Sequence, residues 1–74
     1  MNPAEETKLI RLLLTRLERV SVDSYWAHRA SGIRGALLKQ LDDLEKGTPA
    51  GQAYIAALIS SAFQILTRAA REKR

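Results

Sequence analysis

The chain has no cysteine. That excludes a disulfide framework, a thiolate nucleophile and any Cys-ligated zinc or iron–sulfur site. Its single histidine is too little for a His-rich metal site or a His pair. Long hydrophobic runs are missing too. The longest, over 53–59, falls far short of the ~20 residues that span a bilayer. Glu5 and Glu6 stand where a secretory signal would carry positive charge, and no cleavage site follows an apolar stretch. The expectation is a soluble, cytoplasmic protein with no membrane partner. No calcium loop, Walker A lysine or GxGxxG after a strand is present, so neither a cofactor nor a small-molecule substrate is expected.

What is present fits one small domain over residues 1–74, with 46% hydrophobic residues, the composition of a globular chain. A domain this short buries only about 60% of the surface of its unfolded chain. Small domains commonly add disulfides, a metal or oligomerisation. With the first excluded and no metal site in view, self-association is the expected supplement.

Leu and Ala supply eleven residues each, against seven Val and Ile together, which favours helix over strand. Asn2-Pro3 followed by Glu5 reads as a helix start. In Gly47-Thr48-Pro49, Gly47 can close one helix in the left-handed conformation, Thr48 can cap the next and Pro49 suits its first turn. Ser21, Asp23 and Ser24 are cap-capable and mark the other connection. The expected architecture is all-α: a small three-helix bundle with helices over about 3–20, 23–46 and 49–72.

In the first helix Leu9, Leu13, Leu17 and Val20 share a face with Ile10 and Leu14 at spacings of three and four, and Leu12 is an extra apolar residue on the polar flank. In the third, Ile55, Leu58, Ile59, Ala62, Phe63, Ile65, Leu66, Ala69 and Ala70 cover roughly half the circumference at ~100° per residue. That is more than two neighbours in a monomer need.

The second helix holds the stretch Tyr25-Trp26-Ala27-His28-Arg29-Ala30-Ser31-Gly32-Ile33-Arg34-Gly35-Ala36. Trp26, Ala30, Ile33, Leu37, Leu41 and Leu44 form its core face. His28, Gly32, Gly35 and Lys39 fall opposite. A glycine inside a helix costs ~1 kcal/mol relative to Ala, so two on an outward face need a reason. Another helix could press on a continuous helix there, since Ala27, Ser31 and Gly35 are small residues four apart. The helix could break over 31–35 into a helix-turn-helix. The glycines could also simply be tolerated.

Arg29, Arg34 and Lys39 lie in a window, 24–41, that contains no acid. With Arg68 and Arg71 they are the candidate phosphate contacts, with Tyr25 and Trp26 alongside as candidate stacking groups. Against this, Trp26 suits the core, Arg29 and Arg34 can pair with neighbouring acids, and cations at a helix C-terminus complement its dipole. Gly32 and Gly35 match a GxxG pattern, but the KH domain that uses it needs a sheet, and no alternating strand is present. His28 has Ser24 and Ser31 one turn to either side, yet no oxyanion donors or pocket can be argued. No enzyme activity is expected.

The functional expectation is therefore a non-enzymatic helical protein–protein interaction module. It would act as an adaptor, small regulator or subunit of a larger helical assembly, through homo- or hetero-oligomerisation with itself or another helical protein. The expected interface residues are Trp26, His28, Arg29, Ser31, Gly32, Arg34, Gly35, Ile59, Phe63 and Leu66. The alternative is a small basic nucleic-acid-binding regulator with a turn at 31–35; the net charge of +4 and pI near 10.0 keep it open.

Overall fold

Helix-favouring composition and apolar spacing do yield three helices. The structure, a computed structural model, describes residues 3–47 and 51–72. Helix α1 is Pro3–Glu18, α2 is Ala27–Glu45 and α3 is Gln52–Glu72, each packed against the other two. The described residues contain no strand. The bundle measures 40 × 19 × 17 Å.

The core is built from the predicted faces. Ile10, Leu13, Leu14 and Leu17 of α1 meet Ala30, Leu37 and Leu41 of α2 and Ile55, Leu58, Ala62 and Ile65 of α3. Trp26, Ile33 and Leu44 are only half-buried against this cluster, as are Leu9 and Val20. Two polar residues join the interior, Gln40 and Glu6. Glu6 lies in the first turn of α1, where the helix N-terminus favours negative charge.

The helix ends differ from expectation at three places, one being the start of α3 at Gln52 rather than 49. The first helix stops at Glu18 rather than 20, because Arg19 and Val20 donate back to the carbonyls of Arg16 and Leu17. These are the i→i−3 bonds of a tightened final turn. The second helix starts at Ala27 rather than 23. The cap-capable serines serve turns instead: the Ser24 N–H donates to the Ser21 carbonyl at 2.9 Å and the Asp23 N–H to Ser21 Oγ at 3.2 Å. Such local bonds compete with helix formation. Trp26 occupies the N-cap position, with no side-chain cap.

At its other end α2 terminates as its sequence implies. Gly47 has φ of 75° and its N–H donates to the Leu44 carbonyl at 3.1 Å, the left-handed closure that glycine makes without strain. The expected roles of Asn2, Thr48 and Pro49 lie outside the described residues. In α3 the first helical bond runs from the Ile55 N–H to the Gly51 carbonyl at 3.0 Å.

Candidate interaction surfaces

The residues singled out in the sequence do not form one surface. They divide among the outward face of α2, a cluster around Trp26, and the seam between α1 and α3.

Helix α2 is unbroken through 31–35, so the turn required by a helix-turn-helix is absent. Gly32 and Gly35 are exposed, and a Cβ built on either meets nothing within 4 Å. No helix of the same molecule presses on them. His28 and Ser31 are exposed beside them. Ser24, one turn before His28, donates a hydrogen bond from its hydroxyl to Glu72 Oε1 at 2.6 Å. Among the described residues no group of three His, Asp or Glu could hold a metal ion.

The structure brings only some of the candidate phosphate contacts together. Helical rotation of ~100° per residue sends Arg34 toward α1, where Nη1 lies 3.9 Å from Glu18 Oε1. Arg29 turns toward α3, with its guanidinium carbon 5.8 Å from the Trp26 ring centroid. Lys39 is exposed between those directions. Arg68 of α3 lies over the same indole at 5.4 Å, and Tyr25 meets that indole edge-on at 5.3 Å. Trp26 thus carries two cation–π contacts, each worth about 0.5–1 kcal/mol where exposed. Arg29 and Arg68 thus flank one indole, and Arg71 lines a groove with Arg68, whereas Arg34 and Lys39 lie on other sides of α2.

The entry to α2 is tied to the end of α3 by a residue the sequence pattern did not single out. Glu72 accepts from the Ser24 hydroxyl and, through both carboxylate oxygens, from the Tyr25 N–H at 3.1 Å. A carboxylate at this end of α2 also complements its dipole. At the opposite end of α2, Glu45 pairs with Arg11 of α1, and Lys46 bonds Asp42 at 2.9 Å. The Asp42 carboxylate, by hydrogen bond and then by charge, raises the Lys46 amine above its ordinary 10.5.

The third surface is apolar. Leu12 and Phe63 border one groove with Leu66 and Arg16. Leu12 is 51% and Phe63 50% exposed. Ile59 and Leu66 beside them are half-buried. The groove continues past Arg19, Val20, Ala69 and Ala70. Leu12 groups with Phe63 and, further along both helices, Arg19 with Ala70, so α1 and α3 run in the same direction and the seam extends along both. Leu12, left over on the polar flank by periodicity alone, thus has a neighbour in Phe63.

By length and composition α3 could cross a membrane, with mean hydropathy 1.3 in an 18-residue window of which 28% is buried. That figure expresses the same surplus of apolar surface. No protein-family model, curated protein or solved structure matches the chain.

Proposed function

We propose that the protein is a non-enzymatic, cytoplasmic helical interaction module that acts by associating through the α1/α3 seam. The observation that carries this reading is the half-exposed pair Leu12 and Phe63, contiguous with Ile59 and Leu66. A contiguous apolar patch on a small domain marks a docking surface. Burying it contributes about 25 cal/mol per Å², while Arg16 and Arg19 along the rim orient the partner. The outward face of α2, with Gly32 and Gly35, lies away from both neighbouring helices and is not needed for this association.

The test compares the tagged wild-type chain with a Leu12→Ser/Phe63→Ser variant, each isolated from its host after mild cross-linking. Wild type is expected to bring down a defined species, another copy or a second helical protein, that the variant loses while its circular dichroism stays helical. A wild-type chain that migrates alone at monomer size in host extract overturns the reading.

A further inference from the structure

We infer that the cleft between α2 and α3 beside Trp26 binds a phosphate monoester dianion, gripped by Arg29 from one helix and Arg68 from the other. Its occupancy does not depend on what meets the α1/α3 seam, and no catalysis is involved.

Three observations support it. The first is convergence. Arg29 and Arg68 come from different helices, yet their guanidinium carbons lie 5.8 and 5.4 Å from one indole centroid, and both residues line one cleft with that indole. Two cations drawn to one ring repel each other, and an anion shared by them removes that cost.

The second is that neither guanidinium is paired. Arg11 and Arg34, which tie α1 and α2 together, have Glu45 and Glu18 as partners. Arg29 and Arg68 have no ion-pair or hydrogen-bond acceptor among the described residues. The chain holds no acid over 24–41 or 46–71, so neither wall of the cleft supplies a carboxylate. Glu72, one turn beyond Arg68, is engaged by Ser24 and Tyr25. Each guanidinium therefore keeps its N–H donors, in the planar fork that matches phosphate oxygens.

The third is shape. The cleft has a volume of about 110 Å³. One water takes about 30 Å³, and pockets for drug-sized ligands run to ~300–1,000 Å³, so this one suits a small oxyanion. Ser61 and Gln64 also line it, adding a hydroxyl and an amide that can donate. A monoester brings about −1.5 to −2 charges at pH 7 and three acceptor oxygens, a match for two arginines. A nucleic-acid backbone needs a groove of cations that tracks it, and Arg34 and Lys39 lie on other sides of α2.

Trp26 is the only tryptophan and lines the site, so its emission reports binding. At constant ionic strength, phosphoserine is expected to change it saturably in the millimolar range, the affinity that a few charge-assisted hydrogen bonds supply. Acetate is expected to have no such effect. Arg29→Gln and Arg68→Gln should each weaken binding about tenfold or more, the loss of one such bond, while circular dichroism stays helical. Arg29→Lys, which keeps the charge and loses the fork, should weaken it too. Lys39→Gln removes the same charge from another side of α2 and should leave binding unchanged. A phosphoserine peptide that binds about tenfold tighter than phosphoserine assigns the group to a partner protein; equal affinity assigns it to a free small phosphate. No saturable response, an equal response to acetate, or an equal loss in Lys39→Gln overturns the inference. So does duplex DNA that binds where phosphoserine does not.

Discussion

Glu72 accepts a 2.6 Å hydrogen bond from the hydroxyl of Ser24, forty-eight residues earlier in the chain. The same carboxylate receives the Tyr25 N–H, so the end of α3 fastens the start of α2. Replacing Glu72 with Ala removes an anionic acceptor from two donors. The site is exposed, and the expected loss is about 1 kcal/mol of unfolding free energy. Ser24→Ala should cost a similar amount, and the double variant less than the two added together. Urea denaturation of the four proteins measures the coupling; strict additivity would contradict the shared bond.

Gly32→Ala and Gly35→Ala should each stabilise the isolated protein. Both positions are in a continuous helix with open space where a Cβ would go, and Ala is favoured over Gly by about 1 kcal/mol there. In a domain of this size 1 kcal/mol shifts Tm by about 4–8 °C. Thermal unfolding followed by circular dichroism should show the rise. A fall would mean that something covers this face in solution.

Trp26 is the only tryptophan, which makes its fluorescence a reporter of the α2–α3 junction. Arg68→Ala should change the emission and cost about 0.5–1 kcal/mol, the value of one exposed cation–π contact. Leaving the emission and the denaturation midpoint unchanged would exclude the contact.

Lys46 should titrate above its ordinary 10.5, since Asp42 accepts its hydrogen bond and stabilises its charge. A folded-state pKa above the unfolded value contributes stability that is complete below the unfolded pKa and is lost as pH rises through the folded one. The window therefore lies above 10.5. Lys46 is fully exposed, so the stability effect should be small and the shift itself is the better readout. In an NMR titration, Asp42→Asn should bring the Lys46 pKa back down.

These predictions show which parts of the molecule the sequence makes legible. The buried faces follow from repetition: Ile10, Leu13 and Leu17, or Ile55, Leu58 and Ala62, recur at three and four because one turn of helix takes 3.6 residues. Gly47 is legible because a left-handed residue at a helix end favours glycine. The start of α2 is not, because Ser21 and Ser24 have side chains that suit a cap and a turn equally. Glu72 stands between Arg71 and Lys73, and its partners lie in another segment, so no local pattern announces it. Glu6 reads as an ordinary first-turn acid, and only tertiary packing turns it inward. Phe63 falls on the apolar face by its spacing, but that face is wider than the core, and the spacing does not say which edge stays outside.

The side-chain ties described here join α2 to each neighbour, Arg11 to Glu45 at one end and Ser24 to Glu72 at the other. α2 is then the spine of a book whose two covers, α1 and α3, meet along the edge that carries Leu12 and Phe63. Thermal opening of such a molecule would begin at that edge and leave the spine intact. Anything that binds there would act as a clasp, slowing hydrogen exchange of both covers at once although it touches only their margins.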